Sequence, residues 1–177
     1  GYTYIMAEAL VESVLKENFE IKESFTGKEL EYKEYEPLFK FVDTEKKAWF
    51  VTCDSYVTLT DGTGIVHIAP AFGEDDSRVG REYDLPFVQL VDAKGEMTEE
   101  TDWPGVFVKK ADPLVLEALE KDGKLFAAPN FEHSYPHCWR CNTPLIYYAR
   151  ESWYIKMSAV KEDMIRNNNT INWIPES

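Results

Sequence analysis

The sequence predicts a mainly β domain with inserted helices, an α+β chain of barrel-like character, on three observations. Runs rich in Val, Ile, Thr, Phe, Tyr and Trp recur along the chain, most clearly at residues 48–59. Glycine and aspartate punctuate those runs, at Asp61-Gly62, Gly64, residues 92–95 and Asp122-Gly123. Helical spacing is confined to three or four short segments, so strands outnumber helices.

Taken in order, Ala7, Leu10, Val11 and Val14 share one helical face and predict an amphipathic helix over residues 4–16, with Thr3 as its cap. Residues 18–37 mix acidic and aromatic side chains around Thr26-Gly27-Lys28 and predict strand, turn and strand. The 48–59 run is the clearest strand, and Asp61-Gly62 turns it into a short strand at residues 65–68. Carboxylates in the first turn predict a helix over residues 74–83, where the helix dipole favours them. Residues 87–91 form the next strand. Asp112 as cap and Pro113 in the first helical position open a helix that Asp122-Gly123 closes. Residues 144–156 read as extended, 158–167 as helical and 170–177 as irregular, giving one domain over residues 1–177.

Bulk properties narrow the function. A chain of 177 residues, 44% hydrophobic and 14% aromatic, has the length and apolar content for one folded domain. Its 32 acidic against 19 basic residues leave a net charge of −13 and little attraction for a phosphate backbone, so any nucleic acid must be delivered by something else. No apolar run is long enough for a bilayer and the start lacks a secretory pattern, which predicts a cytoplasmic protein without a membrane partner. Three cysteines, Cys53 and the pair Cys138-x-x-Cys141, suit a reducing compartment better than a disulfide framework.

The run from Gly62 to Asp76 carries the most chemistry. A glycine turn leads through a short apolar strand to His67, then Pro70, Phe72, Gly73 and the pair Asp75-Asp76 at a helix start. An imidazole and a carboxylate nine residues apart thus lie on the rim of one strand-to-helix turn, where they can hold the polar end of a small ligand. Asp76 is the candidate to bind an ammonium group and His67 to shape the pocket, with Asp75 the competing carboxylate. On spacing alone the bland alternative, a satisfied strand histidine beside a helix-start aspartate, is favoured. Thr52, Tyr56, Thr58, Thr60 and Thr63 line a polar pocket beside His67 or are simply strand formers.

The stretch from His133 to Cys141 holds a Cys-x-x-Cys knuckle, Cys138 and Cys141, which reads as half of a zinc site whose other ligands lie elsewhere, or as a pair of reduced, partly buried cysteines. His133 and His137 are alternative ligands, though so close that the chain must double back. There is no Gly-x-Ser-x-Gly elbow, phosphate loop or His-Glu-x-x-His.

Taken together, the Gly62 to Asp76 run, Tyr83-Asp84-Leu85-Pro86, the His133 to Cys141 stretch and Thr143-Pro144-Leu145-Ile146 resemble the editing domain of class I isoleucyl-tRNA synthetases. Gly27-Lys28-Glu29-Leu30 matches that family's early turn, and Asn172-Trp173-Ile174-Pro175 its return towards the catalytic body, so residues 133–177 include the returning segment. Phe72, where many bacterial members have a second histidine, resembles the eukaryote-like branch. Ser77 departs from the tyrosine often found there.

The resemblance implies a distorted β-barrel editing domain that hydrolyses valine wrongly esterified to isoleucine tRNA. Isoleucine and valine are the known case in which one methylene gives only about 150-fold discrimination, so a second sieve is needed. By the resemblance, Asp76 anchors the α-ammonium and His67 walls the side-chain pocket, with Thr63, Gly64, Phe72 and Asp75 around the substrate. A positioned water attacks the ester, helped by the terminal ribose hydroxyl of the tRNA, because a carboxylate paired with an ammonium is a weak base. The partners implied are the tRNA(Ile) 3′ end, brought by the rest of the synthetase, and the valine moiety. No cofactor is needed for editing; zinc at Cys138 and Cys141 would be shared with sequence outside the chain. The family's threonine-rich peptide also falls outside it, so the isolated piece is expected to hydrolyse mischarged tRNA feebly or not at all. A valyl-enzyme editing domain that removes threonine and a noncatalytic zinc module are the alternatives.

Overall fold

Backbone pairing in the computed structural model, which describes residues 1–130 and 132–174, is confined to short patches. In the first, Tyr32 N–H donates to Val51 O (2.8 Å), Val51 N–H to Lys33 O (2.9 Å) and Tyr35 N–H to Trp49 O (2.9 Å). This antiparallel contact sets Glu34 opposite Phe50. A second patch joins residues 90–92, 95–98 and 105–108 through Thr98 N–H to Leu90 O (3.0 Å), Met97 N–H to Val106 O (2.8 Å) and Val108 N–H to Gly95 O (2.9 Å). The third is the hairpin that pairs His137 with Pro144.

These patches correct the barrel expectation. Among the described residues the antiparallel pairs are isolated bridges and no continuous strand forms, so the chain is neither mainly β nor a closed barrel. The reason lies in the backbone. Tyr32 and Trp49, at the ends of the first ladder, take φ of 63° and 57°, the left-handed region, and break the pleat that a longer strand needs. At residues 65–68 Ile65 and Val66 stay exposed and pair with no neighbouring strand. Strand propensity reflects packing against cross-strand neighbours, and without them a β-branched run remains extended chain.

Helices hold more residues than paired strands do. A 3₁₀ turn at Glu8–Leu10 runs into α1, Val11–Leu15, so the first predicted helix shortens to its apolar centre, with Leu10 buried. A second 3₁₀ turn, Gly27–Leu30, is fixed by a capping box in which Glu29 accepts from the Thr26 N–H at 2.8 Å. Helix α2, Glu74–Glu82, falls where the acidic first turn predicts it. Helix α3, Val108–Lys121, starts before the Asp112-Pro113 pair and carries Pro113 inside. Helix α4, Lys161–Asn168, follows a 3₁₀ turn at Met157–Ala159.

Among the described residues the buried apolar ones are few and spread out: Leu10, Phe50, Ala71, Val79, Val91 and Ala111. The accessible surface is 14992 Å², against roughly 8,900 Å² for a compact monomer of this mass. Exposed large apolar side chains run along the chain from Tyr2 to Ile174, and Trp153, Tyr154 and Ile155 lie open to solvent. No helix among the described residues is long and apolar enough to cross a membrane. Residues 175–177, the end of the segment read as irregular, lie outside the described residues.

Candidate functional site

Helix α2 organises the site, and three contacts set its position. Gly80 packs on Pro70 so closely that a Cβ there would come within 2.9 Å of the proline ring. In mid-helix, Arg78 forms a fork with Asp54, Nη1 to Oδ2 at 2.7 Å and Nη2 to Oδ1 at 3.0 Å, and also reaches Asp75 at 3.3 Å. Just past the C-terminus, the Tyr83 hydroxyl donates to Glu31 Oε1 at 2.6 Å and accepts from the Cys53 N–H at 3.1 Å. The Arg78 guanidinium, helped by the Tyr56 N–H, lowers the Asp54 carboxyl to about 2.

At the N-terminus of α2, Gly73 is the cap residue and Glu74, Asp75 and Asp76 fill the first turn. Asp76 is half-buried and turns back over the loop, where its Oδ2 accepts from the Ala69 N–H at 3.2 Å. A Cβ on Gly73 would stand 2.9 Å from the Asp76 carboxylate, so glycine leaves the space into which that side chain folds. Asp75 points outward to Arg78. Of the adjacent pair, Asp76 is the one turned towards the loop.

His67 is exposed and makes no hydrogen bond or ion pair among the described residues. Phe72 is half-buried, edge-on to Tyr148 with centroids 6.1 Å apart, and with Gly73, Ser77 and Tyr147 it lines a cavity of about 220 Å³. The Ala149 N–H donates to Ala71 O at 3.1 Å, joining two more of the residues that line it. His67 and Asp76 share the 67–76 loop but neither lines this cavity. Thr63 accepts from the Ala7 N–H at 2.8 Å, and Gly64, at φ 73°, lies against Ala7, so the glycine turn fastens the first helical segment to the loop. A second cavity, about 690 Å³, lies between that segment and Phe19, Ile21 and Leu59.

Tyr56 lies near enough to Asp76 for the carboxylate's charge to act on its phenol. Its N–H donates to Asp54 Oδ1 at 3.1 Å, while its hydroxyl is sealed from solvent without a partner of good hydrogen-bond geometry. Burial raises the phenol's pKa, and the negative charges of Asp76, Asp54 and Asp75 raise it further. The sequence marks Tyr56 only as one of several pocket or strand residues. Asp54 and Arg78 it does not mark, since their contact joins positions 24 residues apart.

Cys138 and Cys141 lie in the tight hairpin of the third patch. The Cys138 N–H donates to Thr143 O at 2.9 Å, the Asn142 N–H to Cys138 O at 2.8 Å, and Asn142 takes φ 56°. The Thr143 hydroxyl lies 2.9 Å from Cys141 Sγ, and this contact, with the Thr143 backbone and the Cys138 thiol, lowers the Cys141 pKa. His137 Nδ1 faces Tyr135 O at 2.9 Å. Among the described residues no three His, Cys, Asp or Glu side chains gather as a metal site, so the hairpin offers two thiol donors.

The sequence model of "tRNA synthetases class I (I, L, M and V)" matches residues 12–177. Three similar proteins are isoleucine--tRNA ligases. That of Clostridium novyi (strain NT) is 50% identical over 178 residues, 100% of this chain and 17% of the relative. That of Clostridium acetobutylicum is 49% identical with the same coverage. That of Streptomyces avermitilis is 50% identical over 177 residues, 98% of this chain and 17% of the relative. The chain thus spans about 17% of the length of these relatives.

Proposed function

The chain belongs to the class I tRNA synthetases of the I, L, M and V group, and from that premise we propose that it is the part of an isoleucine--tRNA ligase that removes wrongly attached valine. The observation that carries this reading is Asp76, a half-buried carboxylate that folds over a glycine and holds to the Ala69 amide at 3.2 Å. An ammonium group arriving at the 67–76 loop meets a negative charge that the Ala69 amide draws towards the loop.

In this reading Asp76 anchors the α-ammonium of valyl-tRNA(Ile), and His67, exposed on the same loop, walls the side chain when the substrate is seated, with Phe72 on the neighbouring cavity. Thr63 and Gly64 shape the loop on which the ester lies. Water attacks the carbonyl, and the terminal ribose hydroxyl of the tRNA assists. Asp75 supports the anchor indirectly, through Arg78. The rest of the synthetase delivers the tRNA 3′ end, which agrees with a net charge of −13 that offers the nucleic acid no purchase here. The protein works in the cytoplasm, where tRNA is charged. No cofactor takes part in the hydrolysis. Cys138 and Cys141 supply half of a zinc site that thiolates elsewhere in the polypeptide complete.

The test is Asp76→Ala in the full-length protein. The expected result is a loss of Val-tRNA(Ile) hydrolysis of about a hundredfold or more, as for other groups that fix a reacting substrate, with isoleucine attachment intact. Undiminished hydrolysis would overturn the proposal.

A further inference from the structure

The buried, unpaired hydroxyl of Tyr56 is the feature of the site with no assigned work. A phenol shut away from water without a partner is unfavourable, so such an arrangement persists where the hydroxyl has a task or no room to leave. Asp54 sets its location, accepting from the Tyr56 N–H at 3.1 Å while its oxygens grip Arg78 of α2. The same helix carries Asp76, whose carboxylate is the charge that weighs most on the phenol. Asp76 Oδ2 meanwhile has the Ala69 N–H as a donor at 3.2 Å, a long contact that leaves the carboxylate loosely held on that side.

We propose that Tyr56 is a positioning residue for Asp76: its phenolic O–H donates to the Asp76 carboxylate and, with the Ala69 N–H, sets the orientation in which that carboxylate meets an aminoacyl ammonium. The inference rests on the reading of Asp76 as the ammonium anchor. It assigns Tyr56 no contact with substrate and no proton transfer.

The experiment compares full-length protein with its Tyr56→Phe and Asp76→Ala variants on two substrates. One is Val-tRNA(Ile); the other is the same tRNA esterified with 2-hydroxy-3-methylbutanoate, which has a hydroxyl in place of the ammonium. Tyr56→Phe is expected to raise KM for Val-tRNA(Ile) about tenfold with kcat nearly unchanged, the pattern of lost binding, and to leave hydrolysis of the hydroxy ester as it was. A merely structural role would slow both substrates alike, and that result overturns the inference. If Asp76→Ala slows Val-tRNA(Ile) hydrolysis while Tyr56→Phe keeps the parent KM, Tyr56 is idle and the inference fails alone. If Asp76→Ala has no effect, the underlying reading fails with it. Should Tyr56→Phe not fold, 3-fluorotyrosine placed at position 56 and titrated by fluorine NMR decides the matter. Replacing Asp76 by Asn must then lower the phenol's pKa, and an unmoved titration overturns the proposal.

Discussion

Arg78 closes on Asp54 through two parallel hydrogen bonds, Nη1 to Oδ2 at 2.7 Å and Nη2 to Oδ1 at 3.0 Å. The fork ties α2 to Asp54, just before the turn at Ser55 and Tyr56, and so determines where the head of the helix, with Asp76, lies relative to Tyr56. Planar guanidinium against planar carboxylate is directional in a way that a lysine at position 78 could not reproduce.

The fork predicts an acid limit on stability. The Asp54 carboxyl sits at about 2 against an ordinary 3.8, so the charged form is favoured in the folded state. A depressed carboxylate contributes stability that is whole above its unfolded pKa and drains away as pH falls through the folded one. Thermal melts should therefore fall between pH 4 and pH 2, and Asp54→Asn should flatten that part of the profile while lowering the melting temperature at pH 7. A parent-like acid slope in Asp54→Asn would contradict this.

Gly73→Ala tests whether Asp76 depends on the space beside it. The new Cβ would stand 2.9 Å from the carboxylate, with the backbone at an ordinary φ of −141°. Since no backbone strain arises, the effect falls on the Asp76 side chain. The expected outcome is a loss of up to about a hundredfold in Val-tRNA(Ile) hydrolysis, the scale of a reacting group displaced by an ångström, with melting temperature within a few degrees of the parent. Rate measurements and melts on the same preparation check it.

Gly64→Ala should act through stability instead. Its φ of 73° disfavours a side chain, and the Cβ would run into Ala7. Overpacking of this kind costs about 1–3 kcal/mol and left-handed strain adds roughly another 1. Denaturant midpoints should drop accordingly, and proteolysis should open the junction between residues 1–16 and the glycine turn first.

The Cys138–Cys141 hairpin predicts a metal count. In full-length protein, Cys138→Ser should remove one zinc per chain by metal analysis, whereas the 177-residue chain alone should surrender zinc to a mild chelator. Full zinc content in Cys138→Ser would rule out the half-site.

Helix α2 was legible in the sequence because local signals agree: a glycine cap, three carboxylates in the first turn and Arg81 in the last. The start of α3 was not. Asp112-Pro113 has the form of a cap and first turn, but the helix begins at Val108, directly after Phe107, which pairs with Glu96 and covers Gly95. Tertiary contact at Phe107 sets the start, and Pro113 is carried inside at the loss of one backbone hydrogen bond. The strand runs misled for a related reason: the composition at residues 48–59 is that of a strand, but left-handed turns at Tyr32 and Trp49 end the pairing, and such turns at bulky residues leave no local mark. At the site, the Asp76 and Ala69 contact lies within one loop and was within reach of sequence reading. The Asp54 and Arg78 fork, like the closeness of Tyr56 to Asp76, depends on the folded path of the chain.

The most direct measurement is the position of a hydrolysis-resistant valyl-adenosine amide bound to the full-length protein. The account predicts its ammonium within about 3 Å of an Asp76 oxygen, the length of a charge-assisted hydrogen bond, and its isopropyl group against His67 and Phe72. An ammonium held by other groups, with Asp76 still turned only to the Ala69 amide, would contradict it.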